Sequence, residues 1–307
     1  MRNNTLEKIL SGKPLAKLIQ SKIKFLIAQE NLQPKMALIQ IGEDPASSYY
    51  VQNIINIGNK LGCEVLYNQY PADFTQEDLL TILDDANTDL SINGIMIQKP
   101  LPPSFDELKI AESINPKKDI DCFHPVNLGR IILEEDGLFP CTPLAVICTL
   151  RYYNIETQGS HIVIIGRSNI VGKPLSNMLL WKKPYANATV TVCHSKSKNI
   201  KELTRSADIL IAALGRPSFV TEDMIKAESV LIDVGINQVT DKDGKQIYVG
   251  DIDYNTCFDK AAAITPVPGG IGSVTSSLLF LNLLKACFTA HNINKSIDDF
   301  LNYIFIE

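Results

Sequence analysis

Twice along this 307-residue chain, short β-rich runs alternate with stretches of helical periodicity, and that alternation leaves few folds open. Parallel neighbours cannot be joined by a tight turn, so each strand must be reached through a crossover, and the pattern specifies parallel sheets with helices on both faces. The first series predicts helices over 14–30, 47–60 and 75–89 and strands over 36–41, 64–70 and 94–98. Thr75-Gln-Glu-Asp78 is close to a capping box, with Asp in the Glu/Gln place. Pro100, Pro102 and Pro103 then end regular structure. After a Gly/Pro hinge at 137–143, the second series predicts a helix over 143–153, a strand over 161–165 and a helix from Pro174. A strand over 189–193, a helix over 199–206 and strands over 208–213 and 230–234 follow. It closes near 264–272, and a long apolar helix runs to about Ala290. The expected fold class is α/β: two three-layer αβα domains, 1–140 plus 274–307 and 141–273, the second Rossmann-like. At roughly 100–200 residues per domain, the length agrees.

The charge balance narrows the partners. With 29 Lys+Arg against 34 Asp+Glu, the net charge is −5, and the one basic run, 196–201, is short and interrupted. Nucleic-acid binding would require a clustered basic face, so it is not expected. The most apolar segment, 278–288, is broken by Asn282 and Lys285 and reads as a core helix rather than a membrane span. MRNNTLEKIL has no apolar core for a signal peptide. Seven scattered cysteines without a CxxC pair then suggest reduced thiols in the cytoplasm. Four histidines without ligand spacing give no expectation of a metal.

The stretch from His161 to Pro174, HIVIIGRSNIVGKP, carries the most chemistry. A buried strand runs into a glycine turn that feeds a helix whose first position can be proline, and the free N–H groups at such a start form an anion site. Five residues separate Gly166 from Gly172 and Pro174 stands where a Walker loop has Ser/Thr, so this is no Walker loop. A plain βα turn would share its glycines; the next strand separates the readings. A dinucleotide fold reads the ribose at the tip of its second strand, where an acid selects NAD and a basic residue accommodates the extra phosphate of NADP. That tip is Cys193-His194-Ser195-Lys196, without a carboxylate, and Arg167 is placed to reach the same phosphate. The expected cofactor is NADP.

Together with IIGRSNIVGKPLS and CHSK, the motifs DVGIN (233–237), GDIDY (250–254), TPVPGGIG (265–272), GEDPASSYYV (42–51), IQKPLP (97–102) and KDIDCFHPVN (118–127) resemble the methylenetetrahydrofolate dehydrogenase/methenyltetrahydrofolate cyclohydrolase family over essentially the whole chain. The resemblance implies NADP-dependent oxidation of methylenetetrahydrofolate, with hydrolysis of the methenyl product to formyltetrahydrofolate, in the one-carbon metabolism that supplies purine biosynthesis. It implies a folate site in a cleft between the domains, and a cytoplasmic homodimer. By position it assigns Tyr50, Gln98 and Asp121 as catalytic and substrate-binding residues, with Pro268, Gly269 and Gly270 also at the substrate. It assigns Gly166, Arg167, Ser168, Ile170, Gly172, Pro174, Ser195 and Ile236 to the cofactor. For Asp121 the implied task is to hold the pterin's amino nitrogens by paired hydrogen bonds. His124-Pro125 is expected to shape a turn, and the 269–272 glycines to allow close backbone approach to folate or nicotinamide.

The departures from the family pattern gather on the folate side. The family's Y-V-x-x-K reads Tyr50-Val51-Gln52-Asn53-Ile54, and no one-residue slip supplies a lysine. Lys99 follows Gln98 where a small apolar residue is usual, Cys122 replaces a glycine, and Ser273-Val274 replace proline and methionine. Hydride transfer needs orientation and no side-chain proton acceptor. Opening the methenyl ring does need proton transfer, which a lysine can perform and isoleucine cannot. Ile54 is therefore expected to harm hydrolysis more than oxidation. Lys99 swinging into the cleft is one conceivable rescue, against a solvent-facing lysine; Tyr50 and Asp121 acting with water is another. The competing functional readings are a divergent paralogue with a different substrate and a catalytically silent dinucleotide-binding subunit.

Overall fold

The computed structural model describes residues 6–43 and 45–305. The five N-terminal residues of the signal-peptide reading, and Asp44 within GEDPASSYYV, lie outside the described residues. In chain order the elements are α1 (Gly12–Gln29), β1 (Lys35–Ile41), α2 (Pro45–Leu61), β2 (Glu64–Tyr70), α3 (Gln76–Thr88), β3 (Gly94–Ile97), α4 (Glu107–Ser113), α5 (Pro125–Leu133) and α6 (Cys141–Tyr152). Then come β4 (His161–Ile165), α7 (Gly172–Leu179), β5 (Thr189–Cys193), α8 (Ile200–Arg205), β6 (Ile209–Ala212), a 3-10 turn at Glu222–Met224 and β7 (Val230–Asp233). The chain continues through β8 (Asn237–Thr240), β9 (Gln246–Val249), α9 (Tyr254–Cys257), β10 (Ala263–Ile264), α10 (Ile271–Ala290) and α11 (Ile297–Phe305).

Two compact units result. One takes the chain through Lys17 together with Thr142–Thr275; the other is Leu18–Cys141 with Ser276 onward. The expectation had given residues up to 17 to the folate side, and the structure groups the described ones, 6–17, with the nucleotide-type unit. The reason is main-chain pairing: Leu10 N donates to Ile264 O at 2.9 Å, Ile264 N to Lys8 O at 2.9 Å and Gly12 N to Gly269 O at 2.8 Å. These bonds extend β10 with the N-terminal segment, through partners some 250 residues away that no local pattern reveals.

In the nucleotide-type unit a five-stranded parallel sheet runs β10-β7-β6-β4-β5. Its strands have apolar residues on both faces because both are covered: Val163, Ile165, Leu210, Ala212, Leu231 and Ile264 all pack in one core with Met224, Ile252 and Cys257. Strand order reverses at β4, whose neighbours β5 and β6 both follow it in sequence. Ligands of open α/β sheets bind beyond the strands' carboxyl ends at such a point. The β8–β9 hairpin, antiparallel, was not anticipated.

In the other unit the parallel order is β2-β1-β3. Central β1 is buried from Met36 to Ile41, and its one buried polar residue, Gln40, is satisfied by the Tyr67 hydroxyl at 3.0 Å and by Gly42 O at 3.2 Å. Ala37, Ile39, Ile95 and Ile97 face Leu79 and Leu83 of α3 and Ile110 of α4 in one core. Thr75 does cap α3, accepting from Asp78 N at 3.1 Å and donating to the Asp78 carboxylate at 2.6 Å. Helix α10 is long and apolar enough to cross a membrane by length and composition, yet 83% of its most apolar window is buried inside the protein. The two polar residues expected to interrupt it are themselves buried and bonded: Asn282 donates to Ile120 O and Phe139 O, both at 2.8 Å, and Lys285 pairs with Asp136 at 2.6 Å.

Candidate active site

The phosphate-loop residues gather at the carboxyl end of β4. Gly166 has φ +133°, and a Cβ there would stand 2.1 Å from Ala213 O, so only glycine lets the chain turn over the end of β6. A Cβ on Gly172 would meet Gly166 O at 2.1 Å, which sets the second glycine where the loop folds back on its own start. Helix α7 begins at Gly172, so Pro174 is its third residue rather than its first. The missing N–H costs nothing there, because the first four N–H groups of a helix lack intrahelical acceptors. Ser168 shapes the loop: its hydroxyl accepts from Val171 N at 3.1 Å and its carbonyl from Lys173 N at 3.1 Å. Arg167 and Ile170 are exposed.

Gly166 N donates to Cys193 O at 2.9 Å, which sets Arg167 beside the tip of β5. At that tip His194 Nδ1 accepts from Lys196 N at 3.1 Å and His194 N donates to Ser197 Oγ at 2.9 Å, while Ser195 and Lys196 face solvent. An arginine fork, a hydroxyl and an ammonium on a strand tip without a carboxylate fit a ribose phosphate.

Two carboxylates that the motif reading left without a role organise the neighbouring strand ends. Asp251 accepts from Leu214 N (2.5 Å), Gly215 N (3.0 Å), Arg216 N (2.8 Å) and Asn237 Nδ2 (2.9 Å). Asp233 accepts from Gly235 N (3.0 Å), Asp251 N (2.9 Å) and Ile252 N (2.8 Å), and burial pushes it up to about 7. Gly235 and Gly250 are glycines because a Cβ would enter the Asp251 and Asp233 carboxylates, at 2.3 and 1.9 Å. Exposed Ile236 thus rides on a loop pinned by these two aspartates.

In the other unit, Tyr50 of α2 and Asp121 interact. Burial first, then the Asp121 charge, holds the Tyr50 phenol well above its ordinary range, while a hydrogen bond with Ser276 at the start of α10's second turn acts in the opposite direction. Asp121 is pushed up to about 7 by burial and by Asp119, with Lys99 opposing. Gln98, just past β3, donates to Lys99 O at 2.7 Å, and its buried Oε1 has no hydrogen-bond partner among the described residues. A buried acceptor left open in this way suits a ligand N–H. Asp119 builds the loop around Asp121: buried, it accepts from Phe123 N (3.1 Å), His124 N (2.8 Å) and Asn127 Nδ2 (2.9 Å). Asn282 holds Ile120 O from α10. The Asp-x-Asp spacing was the available signal for Asp119; Asn282 had none, since its partners are 162 and 143 residues away.

Ile54 is fully buried, one helical turn from Tyr50 on α2. Lys99 is one-third exposed, paired with Glu107 at 2.5 Å and lying over the Phe123 ring at 4.2 Å. Cys122 has φ +62°, the region that explains a glycine at this position in the family pattern. His124-Pro125 corrects the expectation of a turn: His124 caps α5, accepting from Val126 N at 3.0 Å, and Pro125 opens the helix. Around 269–270 the close approach present is of the chain to itself, since a Cβ on Gly12 would lie 2.0 Å from Gly270 O. Pro268, Gly269 and Gly270 belong to the nucleotide-type unit, whereas Tyr50, Gln98 and Asp121 belong to the other.

Fold and site together define a class: a two-unit α/β protein with a glycine phosphate loop at the switch point of one parallel sheet and a polar, partly buried cluster in a separate unit. Comparison with known proteins narrows it. The catalytic-domain model of tetrahydrofolate dehydrogenase/cyclohydrolase matches residues 10–121, and its NAD(P)-binding-domain model matches 140–291. "Bifunctional protein FolD" of Chloroherpeton thalassium is 46% identical over 286 residues, 91% of this chain and 97% of that protein. The crystal structure of the bifunctional 5,10-methylenetetrahydrofolate dehydrogenase/cyclohydrolase from Thermoplasma acidophilum is similar at TM-score 0.86 and 42% identity, over 93% of this chain and 100% of that one. The Trypanosoma brucei N5,N10-methylenetetrahydrofolate dehydrogenase-cyclohydrolase, complexed with NADP cofactor and inhibitor, is similar at TM-score 0.85 and 33% identity, over 92% of this chain and 98% of that one. The chain belongs to the tetrahydrofolate dehydrogenase/cyclohydrolase family.

Proposed function

We propose that the chain is an NADP-dependent methylenetetrahydrofolate dehydrogenase of one-carbon metabolism, in which hydrolysis of the methenyl product is slow beside its formation. The observation that carries the reading is a conjunction in one chain. A glycine loop with Arg167 stands beside a carboxylate-free strand tip, and a second unit holds Tyr50 next to Asp121 with an open buried acceptor on Gln98.

On this reading Arg167, Ser195 and Lys196 take the ribose phosphate, and the loop from Gly166 to Gly172 with Ser168, Ile170 and Pro174 takes the pyrophosphate side. Ile236 packs against the nicotinamide end, and NADP when bound supplies the hydride acceptor. Asp121 accepts paired hydrogen bonds from the pterin's amino edge, Gln98 Oε1 accepts from a substrate N–H, and Tyr50 orients the folate. Orientation is what hydride transfer requires, and none of these groups has to carry away a proton. Ring opening of the methenyl cation does need a proton carrier, and Ile54 offers only a buried aliphatic surface.

The test uses purified protein with methylenetetrahydrofolate and NADP, following NADPH absorbance and the methenyl band together. NADPH should form while methenyl product accumulates. Absence of NADPH formation refutes the dehydrogenase, and NADPH formation without methenyl accumulation refutes the slow hydrolysis. The homodimer and the cytoplasmic setting are carried by family resemblance; sedimentation equilibrium checks the first and fractionation the second.

A further inference from the structure

Lys99 stands where the family pattern has a small apolar residue, and its surroundings give that change a consequence. Lys99, two residues past the end of β3, continues the row of Ile95 and Ile97 as a lining residue, and Gln98 is not part of that lining. The row opens into a recess lined also by Glu107, Asp119, Asp121 and Phe123. Three carboxylates share this recess, and among its lining residues Lys99 is the one cation. Its ammonium is fixed from two sides, by Glu107 Oε2 at 2.5 Å and by the Phe123 ring at 4.2 Å, two residues beyond Asp121. Burial raises Asp119, while its three donors, Phe123 N, His124 N and Asn127 Nδ2, draw it back down. Of the other titratable groups against Asp121, the Tyr50 phenol and the Cys122 and Cys141 thiols are neutral and bring no positive charge.

We propose that Lys99 is a positioning residue for the substrate: from the wall of this recess its ammonium favours the anionic form of Asp121, the form that accepts paired hydrogen bonds from the amino edge of a pterin. The inference rests on the folate reading above for its substrate, and on the cluster geometry for its charge coupling. A carboxylate crowded by a second carboxylate in a dehydrated site otherwise takes up a proton. That balance is close here, since Asp121 is pushed up to about 7 by burial and Asp119 with Lys99 drawing it down.

Lys99→Met is expected to tighten proton binding at Asp121 about tenfold. With the parent carboxylate half ionised near neutrality, the folate KM of the variant rises about fivefold at pH 7, the difference closes by about pH 9, and kcat at saturating folate is unchanged. Lys99→Arg keeps the charge and restores the parent profile. The coupling is read separately in ligand-free protein by NMR titration of 13Cγ-labelled aspartates, with Asp121→Asn assigning the resonance. An Asp121 midpoint unmoved by Lys99→Met overturns the proposal, as does a KM ratio that is the same at every pH. A midpoint that moves in a protein that oxidises no folate instead upholds the coupling and refutes the folate reading.

Discussion

Replacing Ile54 with lysine puts an amine one turn along α2 from Tyr50, in a site with 0% exposure. Full burial of an isoleucine stabilises by about 1.5–3 kcal/mol, and an ammonium in its place sheds its proton rather than bear the full desolvation cost. A net loss of about 3 kcal/mol is expected, or about 6–12 °C in Tm for units of about 150 residues. Its pH dependence has a definite sign. The folded amine titrates below the ordinary lysine value of about 10.4, so in that window the unfolded state binds more protons and stability rises with pH. The variant's deficit is therefore smallest in alkali and grows as pH falls towards the folded-state value. Catalysis should move the other way. A placed proton carrier is worth about 10²–10⁴-fold, so methenyl-folate hydrolysis should rise at least about 100-fold while the dehydrogenase rate changes little. The assay is decay of added methenyltetrahydrofolate in buffer-corrected traces, beside NADPH formation from methylenetetrahydrofolate. Ile54→Met, which keeps the volume and costs under about 1.5 kcal/mol, controls for repacking. A folded lysine variant that retains dehydrogenase activity and hydrolyses no faster than the parent would refute the reasoning.

Other perturbations probe the nucleotide-type unit. Arg167→Gln should raise the NADP KM about 10–100-fold and leave the NAD KM nearly unchanged, the loss of a charge-assisted phosphate contact of about 1.5–3 kcal/mol; equal effects on both coenzymes would remove Arg167 from the ribose phosphate. Gly166→Ala forces a Cβ to 2.1 Å from Ala213 O at φ +133°, and should cost more than about 2 kcal/mol in urea unfolding and weaken NADP binding. Asp251→Ala strands three main-chain N–H donors at about 1–3 kcal/mol each; it should lower the urea midpoint and raise the NADP KM, with the folate KM unmoved.

Most of the sheet architecture was legible because fully buried strands write themselves as apolar runs between turn signals. β2, β4 and β5 run over the residues expected, and β1, β3, β6 and β7 differ by a residue or two at one or both ends. Helices α4 and α5 went unseen because each is short, and the starts of both are settled by side-chain caps, Asp106 and His124. The β8–β9 hairpin is half exposed and polar, so it lacks the apolar signature of the buried strands. At the site, the glycines, Arg167 and the strand tip could be found because a phosphate loop is contiguous. Asn282, Ser276 and the Asp233–Asp251 pair could not, since their effect arises through partners distant in sequence.

Alone, the order of residues determined which segments become buried parallel strands, where a phosphate loop lies and that an aliphatic group replaces an amine at position 54, because all three depend on local chemistry and near-neighbour spacing. Tertiary structure decided that the N-terminal segment joins the nucleotide-type unit, that Lys99 pairs with Glu107, and that three carboxylates share one recess with a single cation. Those outcomes depend on which distant groups meet once water is excluded, and burial sets the strength of the charges only after the chain has brought them together.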